Sequence, residues 1–278
     1  MLDNTASYEK PKLLNLGDSA WTIEFGRVAN AQNHQRVLAF RDALKVANLH
    51  PFGVILDTVP SLRSLSVHYD PLHTDAIALG QFLLELSKGN TASSSKGVDW
   101  YLPICFEADY APDLPSIAKS CGLSNQQIIE LITGISFEVY MLGFLPGFAF
   151  MGDLPEVLHL PRLAEPRTKV PAGSVGIAGK MCAAYPWESP GGWNLLGRTP
   201  VHFFSSHAPN QPALLTAGDH VHWQAIGAEQ YIAIQEQMQS TLQAVIHGPN
   251  MATKSGGKHN CNNCRTQGHG CEFSACTI

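Results

Sequence analysis

Hydrophobic positions in the first hundred residues follow two periods. Apolar and polar side chains alternate over residues 21–25 and 65–69, the pattern of a strand with one buried face. Apolar side chains recur every three or four positions over residues 30–48 and 75–88, which predicts two amphipathic helices. Two short apolar runs are interpreted as further strands, at residues 54–56 and 100–105. The order β-α-β-β-α-β predicts a ferredoxin-like domain with a split βαβ arrangement.

The pattern changes beyond a Gly- and Ser-rich stretch at residues 89–97, which is typical of a linker. Ser124 and Gln127 have the spacing of a capping box at the start of a helix. After Phe137, short apolar runs are broken by Gly and Pro, which is typical of a β-barrel with long loops. The second half therefore predicts a barrel, which a last strand and a C-terminal helix complete, near residues 216–223 and 228–245.

Length and composition fit this division. The chain has 278 residues, of which 45% are hydrophobic and 15% charged, so it can bury sizeable cores. We expect an α+β protein with a ferredoxin-like domain over residues 1–96 and a barrel over residues 97–246. A polar tail follows over residues 247–278.

Charge and hydropathy exclude several function classes. The net charge of −5 argues against a nucleic-acid-binding protein, which usually has a basic face. No apolar stretch is long enough to span a membrane, and the first residues contain no signal-like apolar run. We therefore expect a cytoplasmic protein with no nucleic-acid or membrane partner.

The segment GFLPGFAF is the first candidate for chemistry. It contains Gly143, Phe144, Pro146, Gly147 and Phe148. Glycine permits unusual backbone conformations and proline stiffens a turn, so such a loop can bring N–H groups and aromatic rings to a small ligand. The alternative, with similar weight, is a structural corner of the barrel.

Three cations follow on a segment stiffened by proline: Arg162, Arg167 and Lys169. Guanidinium and ammonium groups held in this way suit phosphate or carboxylate oxygens, although exposed loops often carry such residues without a ligand. A second segment offers Arg198 as a further cation.

The segment YPWESPGGW suggests a tight turn that presents an aromatic wall. Its candidate residues are Tyr185, Gly191, Gly192 and Trp193. A purely structural turn has comparable weight.

Ser174 follows Gly173 in the segment PAGSVGIAGK, which resembles two catalytic motifs but matches neither. The segment lacks the first glycine and the final Ser or Thr of a P-loop. Ala172 replaces the first glycine of a nucleophile elbow, and few histidines are near in sequence. We therefore interpret Ser174 as a hydrogen-bonding residue.

Four cysteines crowd into the tail with the spacing C-x2-C-x6-C-x4-C: Cys261, Cys264, Cys271 and Cys276. Four thiolates can close a tetrahedral site, and zinc is preferred over an iron–sulfur cluster. A thiol-rich extension without metal is equally compatible with the sequence. His220 and His222 share one face of the last predicted strand, and an exposed strand face is preferred there to a metal pair.

Five segments together resemble one known family: GDSAWTIEFG, VPSLRSLSVHYDPL, VYMLGFLPGFAFMGDLP, LPRLAEPRTKVPAGSVGIAG and YPWESPGGWNLLGRTP. The family is that of the 5-oxoprolinase B subunit, also called allophanate hydrolase subunit 1 or kinase-inhibitor-like. The resemblance runs over about residues 13–226 and leaves out the Cys-rich tail.

The resemblance implies a ferredoxin-like domain followed by a cyclophilin-like barrel. It also implies two partners, 5-oxoprolinase subunits C and A, and hydrolysis of 5-oxo-L-proline to glutamate with ATP and Mg²⁺. In that case the cations contact phosphoryl oxygens, namely Arg162, Arg167, Lys169 and Arg198. Ser174 and the N–H groups of residues 143–147 are then the donors, while Tyr185 and Trp193 shape the pocket.

One departure and two alternatives accompany the resemblance. Ile132 stands where relatives commonly have histidine, and Phe137 where they have tyrosine, which means either altered chemistry or a change of core packing. Some relatives inhibit a sensor histidine kinase, and others handle substrate in urea or amide carboxylase systems. Both roles stay open beside the enzyme subunit.

Overall fold

The computed structural model describes residues 7–89, 97–208 and 211–247. The predicted linker falls mostly outside these residues, and the Cys-rich tail lies entirely outside them. The N-terminal part is a four-stranded antiparallel sheet in the order β1-β2-β4-β3. Its elements are β1 Ser7–Asn15, β2 Ala20–Gly26, α1 Ala31–Val46, β3 Ile55–Pro60, β4 Ser64–Tyr69 and α2 Ala76–Leu86.

The predicted ferredoxin-like order is not confirmed, because two strands differ from it. The strand at residues 99–105 does not join this sheet, and β1 pairs with β2 at the edge instead. The sequence of β1, SYEKPKLLN, has little apolar alternation, and most of its side chains are exposed or half-buried. An edge strand of this kind gives almost no periodic signal, which explains why the sequence pattern missed it.

Helix α1 packs against the sheet on one face and contacts the barrel on another. Asn30 caps its first turn, since the Asn33 N–H donates to Asn30 Oδ1 at 2.8 Å. Val37, Phe40 and Leu44 pack into the core of the sheet. On another face Arg41 donates to the Ala217 carbonyl oxygen at 2.6 Å, which joins the helix to the barrel.

The second part is a closed barrel in the order β10-β7-β6-β13-β5-β12-β9. Strands β5 and β13 pair in parallel and the other neighbours are antiparallel. Apolar side chains fill its interior, including Ile104, Val139 and Trp223. The strands are β5 Asp99–Cys105, β6 Ser136–Leu142, β7 Ala149–Gly152, β9 Ser174–Ala178, β10 Met181–Ala184, β12 Asn194–Arg198 and β13 His220–Ile226. A packed interior means that any ligand site lies in the loops and not inside the barrel.

Three helices and a ribbon surround the barrel. Helix α3 spans Leu114–Cys121, α4 spans Asn125–Thr133 and α5 spans Ala228–His247. The predicted capping box of α4 is confirmed, since Ser124 and Gln127 exchange hydrogen bonds. The ribbon consists of β8 Arg167–Val170 and β11 Ser189–Gly191. Among the described helices, none is long and apolar enough to cross a membrane.

Candidate functional site

Three aromatic side chains form a compact group beside the barrel, which we call the aromatic cluster: Phe148, Tyr185 and Trp193. The Phe148 ring centroid lies 5.0 Å from that of Tyr185 and 6.4 Å from that of Trp193, both in edge-to-face contacts. All three side chains are buried, and Val170 of the ribbon packs against them. The cluster therefore forms the floor of the candidate site, and a ligand would meet the groups above it.

The loop at residues 143–148 connects β6 to β7 and covers one side of the aromatic cluster. Three N–H groups of the loop donate to carbonyl oxygens within the loop. Gly143 N–H donates to Phe148 O at 3.1 Å, Leu145 N–H donates to Gly143 O at 2.8 Å, and Phe148 N–H donates to Leu145 O at 3.0 Å. Pro146 has no N–H. Among the described residues, only the Phe144 and Gly147 N–H groups of this loop lack a hydrogen bond. Of these two residues only Phe144 is exposed, so fewer donors remain for a ligand than the sequence suggested.

Phe144 has an uncommon conformation at the tip of this loop. Its φ of 69° lies in the left-handed region, which a bulky residue rarely adopts, while 66% of the residue is exposed. Strain that places an apolar ring in solvent is typical of a functional contact. Trp187 is also largely exposed, and its ring centroid is 6.3 Å from that of Phe204.

Glycines hold the surrounding loops close together. Gly147 has a φ of 80°, and a Cβ there would lie 2.7 Å from the Phe203 carbonyl oxygen. A Cβ on Gly191 would lie 2.5 Å from the Tyr185 hydroxyl oxygen. Gly173 turns with a φ of 79°, and its Cβ would lie 2.2 Å from the Thr199 carbonyl oxygen. These positions need glycine because neighbouring backbone and rings approach so closely.

Gly192 closes the ribbon side of the site. Its carbonyl oxygen accepts a hydrogen bond from the Leu163 N–H at 2.7 Å. This contact holds the segment that carries Arg162 next to the aromatic cluster.

Arg162 is the exposed cation at this end. Its guanidinium carbon lies 6.0 Å from the Trp193 ring centroid, and it has no ion-pair partner among the described residues. Burial raises the pKa of the Tyr185 hydroxyl, while a hydrogen bond from the Trp193 backbone and the charges of Arg162 and Arg167 oppose that shift. A positive field therefore reaches the cluster, and Arg162 is free to meet an anion.

Arg167 and Lys169 differ from Arg162 in having carboxylate partners. Arg167 Nη2 donates to Asp113 Oδ1 at 2.6 Å, and Nη1 donates to the Trp193 carbonyl oxygen at 3.4 Å. Lys169 Nζ lies 3.2 Å from Glu188 Oε1, with both side chains largely exposed. The exposed pair is weak enough to open for a ligand, whereas the Arg167 pair is partly buried.

Asp113 was missed by sequence reasoning. Its second oxygen, Oδ2, accepts the Leu195 N–H at 2.7 Å, so one carboxylate joins α3, the ribbon and β12. The available signal was its place immediately before Leu114 and Pro115, where acidic residues often precede a helix. That signal indicates a helix start and says nothing of Arg167.

Ser174 and Arg198 lie away from the exposed rim. They face each other as paired residues of β9 and β12, and Ser174 is buried. The Arg198 guanidinium carbon lies 5.8 Å from the Tyr110 ring centroid. Burial raises the pKa of Tyr231, and the charge and hydrogen bond of Arg198 oppose this shift, which places Arg198 beside α5. Both residues lie below the rim, although Ser174 stays next to the aromatic cluster because its carbonyl oxygen accepts the Tyr185 N–H at 2.8 Å.

Ile132 and Phe137, at which the resemblance implies histidine and tyrosine, are fully buried in the barrel core. Their apolar side chains have no access to a ligand. This placement favours a change of core packing over altered chemistry.

His222 has two polar neighbours that do not form a catalytic triad. Its Nε2 lies 3.0 Å from Asp99 Oδ1 and 3.4 Å from Ser136 Oγ. A triad needs the serine and the carboxylate at opposite ring nitrogens, and here both lie at one.

Within residues 7–89, 97–208 and 211–247, no group of three or more His, Cys, Asp or Glu side chains could hold a metal ion. The predicted cysteine site lies outside those residues.

Comparison with known proteins gives concordant matches. A family model described as carboxyltransferase domain, subdomain C and D, matches residues 11–215. The 5-oxoprolinase B subunit of Bacillus subtilis is 35% identical over 236 residues, covering 80% of this chain and 95% of that protein. The corresponding protein of Escherichia coli O157:H7, which has the same name, is 39% identical over 209 residues, covering 74% of this chain and 92% of that protein.

A solved structure has the same architecture. The crystal structure of TTHA0988 superposes with a TM-score of 0.65 at 32% identity and covers 75% of this chain. This chain spans 40% of the length of that protein. The match supports the observed mixed α/β architecture with a closed barrel.

Proposed function

Because the chain belongs to the family of the 5-oxoprolinase B subunit, we propose that it is the B component of an ATP-dependent complex that hydrolyses 5-oxo-L-proline to L-glutamate. The observation that carries the proposal is the similarity to the Bacillus and Escherichia proteins over nearly their whole length. The other components in this proposal are subunits A and C.

The reaction needs ATP because a lactam carbonyl is a weak electrophile. Transfer of the γ-phosphoryl group to the lactam oxygen would release ADP and activate the ring carbon. One water would add to that carbon, and the C–N bond would break to give an acyl phosphate. A second water would release phosphate and leave glutamate. Groups that stabilise negative charge on the phosphoryl oxygens would speed these steps.

The exposed rim offers such groups. Arg162 is free to contact a phosphoryl oxygen, and the Phe144 N–H is free to donate. Lys169 would add charge once it leaves Glu188. Arg167 would act as a positioning residue, since it holds Asp113 and the Trp193 backbone. The catalytic roles of Ser174 and Arg198 stay predictions.

The buried floor of the site supports action within a complex. The aromatic cluster is closed from solvent, while Phe144 and Trp187 project from the rim. Apolar rings exposed in this way are typical of protein interfaces. In the proposal a partner subunit covers the rim and completes the pocket above it.

Co-expression with subunits A and C tests the proposal. We expect ADP and glutamate to be released in equal amounts, only when 5-oxoproline and all three proteins are present. Association of the three proteins without release would overturn the enzyme proposal and favour a regulatory role.

A further inference from the structure

A groove on the N-terminal part of the molecule lies outside the candidate site. It has a volume of about 870 Å³, and residues of β1, of the first half of α1 and of the turn after α2 form its walls. Its lining includes the cations Lys10, Lys12, Arg36 and Lys88, against one carboxylate, that of Glu9. We call it the basic groove. The excess of positive charge is local, because the whole chain has a net charge of −5.

Arg36 is the least exposed of these four cations. Its Nη1 donates to the Tyr8 carbonyl oxygen at 2.9 Å and to the Phe25 carbonyl oxygen at 3.0 Å. Its guanidinium carbon also lies 5.1 Å from the Phe25 ring centroid. These contacts hold the planar guanidinium group in place and leave Nε and Nη2 without a hydrogen bond to any described residue. Their N–H groups are available to an acceptor in the groove.

The charge of Arg36 is not compensated within the part of the chain that the structure describes, since no carboxylate there forms an ion pair with it. The Tyr8 hydroxyl donates to Glu24 at 2.9 Å, but that carboxylate is already paired with Arg63. Burial lowers the pKa of Arg36, the direction expected of a desolvated cation. An anion bound next to Arg36 would offset this desolvation.

Three exposed lysines add charge around Arg36. Lys10 and Lys12 have no carboxylate partner among the described residues. Lys12 Nζ lies 4.1 Å from the Tyr8 ring centroid, a contact that orders the side chain without neutralising its charge. Lys88 contacts the Glu85 carboxylate, but both side chains are exposed, so water weakens this pair. Several like charges in one groove favour a ligand with several negative charges.

The volume of the groove indicates a small molecule, because pockets for such ligands typically measure about 300 to 1,000 Å³. A guanidinium group binds phosphoryl oxygens through paired N–H groups, and lysines contribute point charges. Gln32 also lines the groove, and its Oε1 accepts from Ser7 Oγ at 3.3 Å, so its NH₂ group remains a donor. These groups together fit a chain of phosphates.

We propose that the basic groove binds the phosphate chain of a small polyphosphate, with Arg36 donating to phosphoryl oxygens and with Lys10 and Lys12 supplying further charge. Inorganic pyrophosphate and nucleoside diphosphates share this chemistry. The binding does not depend on the proposed function, because no residue of the candidate site lines the groove.

Calorimetric titration of the full chain with inorganic pyrophosphate and with ADP tests the proposal. At physiological ionic strength, where salt screens nonspecific attraction, we expect saturable binding. ADP that binds more tightly than pyrophosphate assigns the groove to a nucleotide, and ADP that binds no more tightly assigns it to the phosphate chain alone. No saturable binding of either compound overturns the proposal.

Substitutions in the groove test which residues bind. Arg36→Gln should weaken pyrophosphate binding about tenfold, because a charge-assisted contact is lost. The double variant Lys10→Gln and Lys12→Gln changes only exposed side chains and should weaken binding by a similar factor. The matched control is Lys45→Gln, an exposed lysine of α1 that does not line the groove, and it should bind like the native chain. Native affinity in the double variant, or an equal loss in the control, overturns the proposal.

Backbone amide signals locate the anion. Added pyrophosphate should shift the signals of Lys12 and Gln32 and leave that of Phe144, in the candidate site, in place. Shifts confined to Phe144 and its neighbours would place the anion at the candidate site and overturn the proposal.

Discussion

The turn between β1 and β2 and the loop end of the barrel use glycine in the same conformation but in different surroundings. Gly17 has a φ of 67° and no atom within 4 Å of where its Cβ would lie. Gly173 has a φ of 79°, yet its Cβ would lie 2.2 Å from the Thr199 carbonyl oxygen. The first turn only reverses the chain, whereas the second is packed against its neighbours. The loops at this end of the barrel therefore pack against one another, and the geometry of the candidate site depends on that packing.

Alanine substitutions at these two glycines should give the greatest difference in the free energy of unfolding. Gly173→Ala should lower the free energy of unfolding by about 3 kcal/mol. The alanine would be strained at this positive φ, and its Cβ would also force the neighbouring backbone to move. Gly17→Ala should cost about 1 kcal/mol, the effect of a left-handed conformation alone. Urea denaturation of both variants measures the difference. Equal losses would contradict the packed arrangement.

The second comparison separates the two arginines near the aromatic cluster. Arg167→Ala should lower the free energy of unfolding by about 2 kcal/mol, because the largely buried Asp113 carboxylate loses its cation and keeps only the Leu195 N–H. Arg162→Ala should leave stability within about 0.5 kcal/mol but reduce turnover of the complex about 100-fold.

Arg27→Ala, in the bend that follows β2, is the matched control for an exposed arginine. It should change neither stability nor turnover. Full turnover in Arg162→Ala would remove Arg162 from the proposed site.

The third effect is smaller and concerns Phe144. Phe144→Gly removes the strain of a side chain at φ 69° and should raise the free energy of unfolding by about 0.5 kcal/mol. The same variant should weaken association with the partner subunits, since the exposed ring is lost. Leu72→Gly is the control, as another exposed apolar residue, and should not stabilise the protein. A destabilised Phe144→Gly would show that the ring contributes to folding.

The smallest effect is a pH dependence at an exposed carboxylate. A hydrogen bond with His222 lowers the pKa of Asp99, and the nearby His220 and His222 charges add to it. A carboxyl with a depressed folded-state pKa stabilises the protein above its unfolded pKa and loses that contribution as the pH falls. Asp99→Asn should therefore lower the free energy of unfolding slightly at neutral pH, and the difference from the native protein should disappear as the pH falls below the depressed pKa, measured by urea denaturation across pH.

Regular periods made much of the N-terminal part predictable. The helices at residues 31–46 and 76–86 follow the apolar spacing. In the second part, the capping box at Ser124 has the expected hydrogen bonds. The edge strand β1 was missed because exposure removes its alternation. The run at residues 99–105 was recognised as a strand but placed in the wrong sheet, since a parallel partner 121 residues later leaves no local signal.

The sequence indicated which segments meet around the aromatic cluster, but it did not indicate their geometry. The aromatic and glycine-rich segments do come together at Phe148, Tyr185 and Trp193. Which cation is free could not be read from the sequence, because Asp113 reaches Arg167 from a position 54 residues earlier. Spacing likewise gave no sign that Arg198 lies beside Tyr110.

A titration of this chain into fixed amounts of subunits A and C is the most direct test of the proposed function. The quantity measured is ADP release that depends on 5-oxoproline. We expect release that rises with the concentration of this chain and saturates as the complex fills. Release at the full rate without this chain, or no release at any concentration of it, would overturn the proposed function.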